Sequence, residues 1–490
     1  VQVKESKCVR AGKSQWGDAS DREEDMKAIR EDARRLMLDG ALALSRVEES
    51  GIRIDVDLLD RTIAKVSRRI EALTERLKDG EEWAEWRRAF GLKASLGSRL
   101  QLSKVLKRMG HELSGEKTRS GSREKTDKLS LERLDIPFVR DYLEVEKLKK
   151  LHGTYLLGVR REVVDGLLRP FFNLHTVVTY RSSSDRPNFQ NVPIRDKMIG
   201  KLIRQCFVPR KGHVLVEVDF KQLEVSISTA YHRDPRMIEY LETGYDFHRS
   251  LAAELYMLEE GEVSADVRYC AKNRFVFPEF YGSYFAQCAL SLWEAIDSME
   301  LRTVGGRPLK EHLAEQGIVR LGETRSDWRK GRIETEGGTF TGHVREVERV
   351  FWSERFPIYA EWKERWWQKY LKRGWFELLT GFREDGLYKR NDVINHPVQG
   401  SAFHVLLWSL VEMVKWLSKN KMRSMVVGQI HDSMLCDVHR SELDDFLVKV
   451  REITSVRLRE AWQWIVVPLT VDVAIAEENW FEKRSVEVEI

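Results

Sequence analysis

The sequence predicts an α+β protein in which a few strands carry acidic residues and most of the remaining chain is helical. Three stretches support this. His213–Phe220 places Val214, Val216 and Val218 at every second position, the pattern of a strand with one buried face. Asp219 stands near its end, on the face opposite the valines. Met425–Val438 reads as strand, tight turn and strand, with His431-Asp432 at the turn. In the third stretch, Leu59, Ile63, Val66, Ile70, Leu73 and Leu77 alternate spacings of four and three, one face of a helix. Over so short a length this stripe reads as packing within the chain, not as a dimeric coiled coil.

Taken in order, residues 1–30 are polar and mixed in charge, which predicts a mobile tail. A helix follows from Ala33 to Val47, and Gly51-Ile52-Arg53-Ile54-Asp55 makes a turn into an extended step. Residues 111–128 are a Gly/Ser-rich basic loop, either solvated or gripping a nucleic-acid backbone. The next helix carries Lys147, Lys149 and Lys150, followed by Gly153-Thr154-Tyr155. Phosphate contacts from such residues are sequence-independent and salt-sensitive. Thr179–Pro193 is irregular, turn-rich and polar.

Ser264 starts a capped helix on which Arg268 and Lys272, four apart, share a face. Two such cations can clamp a triphosphate and neutralise charge developing on departing pyrophosphate, although taken without flanking motifs they read as an exposed basic face. Pro278 removes a helix hydrogen bond, which predicts a kink or π-type bulge near Phe277. Gly305-Gly306-Arg307-Pro308 and Gly337-Gly338-Thr339 mark turns. The tryptophans between Trp362 and Trp367 read as core.

Composition sets outer bounds. At 490 residues the chain exceeds one ordinary core and should divide into two or three subdomains. Lys plus Arg number 82 against 78 Asp plus Glu, so any nucleic-acid footprint must be local rather than global. Five cysteines, at 8, 206, 270, 288 and 436, form no CxxC pair and read as reduced thiols in a cytosolic compartment. No apolar run reaches membrane-spanning length and no signal peptide is visible. The first residue is Val, so a processed or trimmed fragment is expected.

The two aspartates carry the chemistry. A carboxylate at the end of a stiff strand suits a divalent cation, although an Asp taken alone is more often a cap or turn residue. Sharing one site, Asp219 and Asp432 would bridge two Mg²⁺ ions. Ions about 3.5–4 Å apart stabilise the attacking and leaving oxygens of an in-line phosphoryl displacement. Mg²⁺ usually takes only one or two carboxylates, with water and substrate phosphates completing its octahedron, so two aspartates suffice.

Val218-Asp219-Phe220-Lys221-Gln222-Leu223-Glu224 resembles motif A of the family A (Pol I-type) DNA polymerases. Arg268 to Gly282 resembles their motif B and Ile430-His431-Asp432 their motif C, in the family's order. Arg181 to Asn191 is similar to the family's Arg-x-Ser-Ser…Pro-Asn-x-Gln-Asn segment, and Asn395-His396-Pro397-Val398-Gln399-Gly400 matches a further signature. The stretch from Gly51 to Tyr155 is similar to the family's thumb, and Pro468–Val473 with Glu478-Asn479-Trp480 to its C-terminus.

The resemblance implies a right-hand polymerase with an antiparallel palm sheet and mostly helical fingers and thumb. The thumb would span 31–160, the palm 161–225 and 396–490, and the fingers 226–395 with an insertion around 286–343. It implies Asp219, Asp432, Arg268 and Lys272 as catalytic residues, with Asp219, Asp432 and Phe220 at the metals. Gln222, Glu224, His248, Arg268, Lys272, Phe277 and Tyr281 would bind dNTP, with Glu224 crowding the sugar 2′ position. Arg181, Asn188, Gln190, Asn395, Gln399 and His431 would contact DNA. The implied cofactor is a pair of Mg²⁺ ions, for which Mn²⁺ can substitute. The implied partners are primer–template DNA and dNTPs, with separate exonuclease or replisome proteins and no membrane, in the cytoplasm of a bacterium or a phage-infected host.

The chain also departs from the family pattern. One extra residue separates Lys272 from Tyr281-Gly282, so counting back selects Phe277 and counting forward Val276 as the ring against the incoming base. Ser433 stands where the family usually has Glu, which leaves two carboxylates for the metals. The family's exonuclease normally precedes the thumb, and only residues 1–30 do so here, so no unaided proofreading is expected. A single-subunit RNA polymerase shares the paired aspartates but is opposed by Glu224 and the Arg181–Asn191 segment. A non-catalytic DNA-binding relative is the other alternative, opposed by retention of both aspartates and both cations.

Overall fold

A computed structural model describes residues 19–486, except 112, 114–125, 127, 133, 195 and 328–331. Most of the basic loop expected at 111–128 therefore lies outside the described residues, as do residues 1–18. The tail expected over 1–30 is corrected from Ala19 onward, where helix α1 (Ala19–Ser50) begins. Neither Gly nor Pro interrupts this helix between Ala19 and Gly40, and its Glu, Arg, Ala and Met residues are good helix formers. Ala43, Leu44 and Val47 are buried on one side of this helix. At Gly40 an added Cβ would come within 2.8 Å of the Leu407 side chain, so glycine permits that close approach.

Helix α2 (Val56–Asp79) is capped by the Asp55 carboxylate, which accepts from Leu58 N at 2.8 Å. Its stripe of Leu59, Val66, Leu73 and Leu77 is buried, with Ile63 and Ile70 half-buried. The stripe packs on α3 (Pro137–Lys150) of the same chain, flanked by an Arg69–Glu144 ion pair at 3.0 Å. Packing within the chain is thus the outcome for this helix.

The centre is one antiparallel sheet of β1 (His213–Phe220), β2 (Met425–Ile430), β3 (Ser433–His439), β4 (Val471–Ala476) and β5 (Lys483–Val486), in the order β2-β3-β1-β4-β5. Val214, Val216 and Val218 are buried as expected, but so is Leu215 on the opposite face. That second face is covered too: Trp480 donates to Glu217 at 2.7 Å and carries the Arg204 guanidinium 3.7 Å from its ring centre.

Beyond the sheet, α4 (Leu223–His232), α5 (Phe247–Tyr256) and α6 (Ala265–Ala271) lead into a helical lobe with α7 (Phe285–Ser298), α8 (Phe340–Val350) and α9 (Pro357–Arg373). Its separate core includes Val267, Phe275, Leu292, Leu313, Phe340 and Phe351. Residues expected as an insertion around 286–343 thus help build this core, with a short hairpin of Thr324–Asp327 and Arg332–Thr335 added to it.

Helix α10 (Arg390–Lys419) joins lobe and sheet without a break, and residue 395 lies inside it near its start. Pro397 lies inside it and leaves the Val393 carbonyl without its usual donor. Trp366 Nε1 supplies one at 3.0 Å, which accounts for a half-buried tryptophan there. Among the described residues no helix is long and apolar enough to cross a membrane.

Candidate active site

Backbone pairing brings the two aspartates together. Ser433 lies opposite Asp219 in the β3–β1 register, and Phe220 N donates to the Asp432 carbonyl at 3.2 Å. His431, with φ of +48°, and Asp432 form the two-residue turn between β2 and β3. Asp219 is open to the cleft yet crowded by protein, which pushes its carboxyl up to about 6, with the charge of Asp432 adding to the shift. Burial also raises Asp432, opposed by Arg181, whose Nη2 lies 3.6 Å from Asp432 Oδ1. Ser433 is buried and donates its hydroxyl to Ile430 O at 2.9 Å. It closes the turn and does not line the cleft. Among the described residues no group of three or more His, Cys, Asp or Glu side chains could hold a metal.

A polar mesh surrounds this pair. Arg181 Nη2 donates to Glu224 Oε1 at 2.6 Å, and the Tyr281 hydroxyl bonds to Glu224 Oε2. Gln190 Nε2 and Ser182 Oγ both donate to Gln429 Oε1 at 2.6 Å, and Gln429 Nε2 donates to His431 O at 2.8 Å. Gln429 is 1% exposed and, with Ser182, was not foreseen from sequence. The one clue was an amide in an otherwise apolar strand, which must find partners when buried. Asn188 is exposed in the same loop, and Gln222 is exposed at the left-handed start of α4, with φ of +47°. Phe220 buries its side chain.

The facing wall belongs to the lobe. Ser264 accepts from Val267 N and caps α6, as expected. A π turn, Lys272–Val276, follows and absorbs the extra residue, where the sequence predicted a bulge. It leaves Val276 fully buried and Phe277 half-buried, with the Phe277 ring near-parallel to Tyr281 at 6.2 Å. Phe277 is therefore the ring on the cleft side. Lys272 Nζ lies 5.3 Å from its centre, and Arg268 Nε pairs with Asp246 at 2.7 Å. Burial, then the nearby Arg268 charge, lowers the Lys272 ammonium. His248 is 1% exposed, with neither ring nitrogen hydrogen-bonded. Burial and the charges of Lys272 and Arg268 push it down to about 3. It underlies the cations and is not presented to the cleft. Asn395 Nδ2 donates to Tyr281 O at 3.1 Å, and Gln399 sits one turn further along α10, half-buried.

The sheet-borne carboxylate pair is joined through Arg181, Glu224 and Tyr281 to the helix turn that follows Arg268 and Lys272. The chain belongs to DNA polymerase family A, whose model matches residues 62–294 and 380–482. It is 26% identical over 461 residues to DNA polymerase I of Lactococcus lactis subsp. lactis, covering 91% of this chain and 45% of that protein. It is 27% identical over 457 residues to the thermostable DNA polymerase I of Thermus filiformis, covering 90% and 47%. The chain thus spans about half the length of the curated relatives it matches. Among solved structures, the POL domain of Pol1 from M. smegmatis, determined with DNA primer-template and dNTP, shares the fold. The match has a TM-score of 0.70 at 22% identity, over 91% of this chain and 70% of that one.

Proposed function

We propose that this chain is a template-directed DNA polymerase that adds dNTPs to a primer 3′-hydroxyl by two-metal phosphoryl transfer. The observation that carries the reading is the meeting of Asp219 and Asp432 at one end of the sheet, linked through Arg181, Glu224 and Tyr281 to the turn that follows Arg268 and Lys272. Two carboxylates beside an open cleft fit Mg²⁺, whose remaining positions go to water and substrate phosphates. When bound, Mg²⁺ (or Mn²⁺) would activate the 3′-hydroxyl and stabilise the leaving oxygen.

Asp219 and Asp432 in their ionised forms would hold the metal ions, and with its side chain buried Phe220 would have only backbone to offer there. Lys272 and Arg268 clamp the triphosphate and offset charge arriving on pyrophosphate. His248 stiffens the floor beneath them. Phe277 and Tyr281 stack toward the base, and Gln222 lies at the phosphate side. Glu224, fixed by Arg181 and Tyr281, crowds the sugar 2′ position, so a ribonucleotide would bury its extra hydroxyl against a carboxylate. Arg181, Asn188, Gln190, Asn395, Gln399 and His431 face the duplex, where minor-groove acceptors common to all pairs report geometry without reading sequence.

The test is extension of a labelled primer on a DNA template with Mg²⁺ and dNTPs. Templated extension is expected, with little incorporation of rNTPs. Binding of primer–template without extension would leave a polymerase-shaped binding module. Preferential rNTP use would mark an RNA polymerase.

A further inference from the structure

A cleft of about 370 Å³ opens between the ends of α9 and α4 and a short hairpin of Trp375–Glu377 and Arg383–Asp385. The proposed reaction gives it no part. Trp366 and Trp375 line it, and both are only half-buried. Cations stand over these rings. Lys369 Nζ lies 5.3 Å from the centre of the Trp366 ring. The Arg373 and Arg383 guanidiniums lie 5.3 and 4.4 Å from that of Trp375. Lys369 and Arg373 are exposed and, four apart on α9, share a face.

The charge here is one-sided. Among the described residues lining the cleft, Glu377 is the one acid against Lys369 and Arg373. Arg383 pairs with Asp385 at 3.3 Å, whereas among the described residues neither Lys369 nor Arg373 has a carboxylate within ion-pair distance. An exposed basic face alone would be ordinary. Alternation of unpaired cations with indole rings is what single-strand binders use, cations for the backbone and ring faces for the bases.

The cleft is also tied to the proposed active site. The Tyr231 hydroxyl, in its lining, accepts from Leu379 N at 3.0 Å and donates to Pro397 O at 3.0 Å. With the Trp366 bond to Val393 O, this fastens the cleft to the first turns of α10, which carry Asn395 and Gln399. Along α4, Tyr231 stands about 10 Å from Glu224 at 1.5 Å per residue. That is about three nucleotides at the 3.4 Å rise of a stacked strand.

We infer that this cleft binds the single-stranded template ahead of the primer end, with bases against Trp366 and Trp375 and phosphates on Lys369 and Arg373. A duplex hides its base faces in the stack, so aromatic walls fit the unpaired part of a primer–template, which is the template overhang. Recognition ignores sequence, because every base has a π face. The inference rests on the polymerase reading for the identity of the strand.

The experiment measures affinity, at fixed salt, for two primer–templates that share one duplex and differ in 5′ template overhang, about two against about twelve nucleotides. The native chain should bind the longer overhang about tenfold more tightly. In the double variant Lys369→Ala with Arg373→Ala, and separately in Trp375→Ala, the ratio of the two affinities should fall to about one. Taking the ratio cancels changes in duplex binding or in the fraction folded. For the longer overhang, the slope of log affinity against log salt should also shrink by about 0.7 per cation removed. A native ratio near one would overturn the inference, as would a native-like ratio in the double variant. Absence of primer extension beside a native ratio of about ten would sink the polymerase reading and leave the single-strand site standing.

Discussion

The sheet end of the cleft and its helical end are held in different ways. Asp219 and Asp432 are set by strand register: every residue of β3 pairs with one of β1, and the two-residue turn leaves Asp432 one place to be. Lys272 begins a π turn, Phe277 follows it, and the turn is docked by side chains from other helices, Trp352 bonding to its Glu279 and Asn395 to its Tyr281 carbonyl. Backbone ladders are rigid, whereas a helix turn docked by a few polar side chains has two or more accessible arrangements at modest cost. In the proposed polymerase the carboxylate pole would be a fixed anvil, and the cation pole the part able to shift when a nucleotide arrives.

The largest effect expected from breaking this arrangement is at the anvil. Asp432→Ala should reduce primer extension by at least about a hundredfold, while the fold and primer–template binding persist. Extension near native levels in that variant would remove the two-aspartate site from the mechanism. Lys272→Ala strikes the movable pole and should lower kcat/KM for dNTP by roughly a hundredfold, about 2.7 kcal/mol. Equal loss in KM-independent primer binding would instead make Lys272 a general DNA contact.

How much of this contrast could be read from sequence depends on the range of the interaction. Period-two valines and the His431-Asp432 turn are local, so the strand and hairpin were legible. The α2 stripe was legible for the same reason. The π turn was legible from Pro278 and the extra residue, but the choice between Val276 and Phe277 needed burial to decide it. The early start of α1 was missed because its first turns are polar, a composition shared by tails and exposed helices. Gln429 and Glu279 were missed because their partners lie far away in sequence: Ser182 and Gln190 for one, Trp352 and Lys363 for the other. Buried polar residues are legible only once their partners are known.

Gln429 sharpens the comparison at the level of stability. Its side chain receives two hydrogen bonds and gives one, so Gln429→Ala leaves Ser182, Gln190 and the His431 carbonyl short of partners. A loss of about 1–3 kcal/mol in unfolding free energy is expected, measured by denaturant titration. Because the same mesh positions Arg181 and the turn, activity should fall further than stability alone explains. Loss of stability with unchanged kcat/KM would show that the anvil is held by the sheet without the mesh.

The smallest effect at neutral pH comes from α10, the helix shared by both poles. His404 is fully buried, its Nδ1 lies 2.6 Å from Thr380 Oγ1, and burial pushes it down to about 3. The unfolded chain binds a proton near pH 6.5 that the native chain refuses, so stability is complete above that pH and falls as pH drops toward 3. His232, also lowered to about 3, acts in the same direction. Asp219 and Glu279, both raised, act oppositely and gain stability as pH falls, so the native curve alone is a balance of signs. His404→Gln isolates one contribution. The difference between variant and native stability should be flat above about pH 7 and shift in the variant's favour by about 2 kcal/mol near pH 5. A difference independent of pH would mean that His404 accepts its proton in place, with the helix joining sheet and lobe soft enough to solvate it.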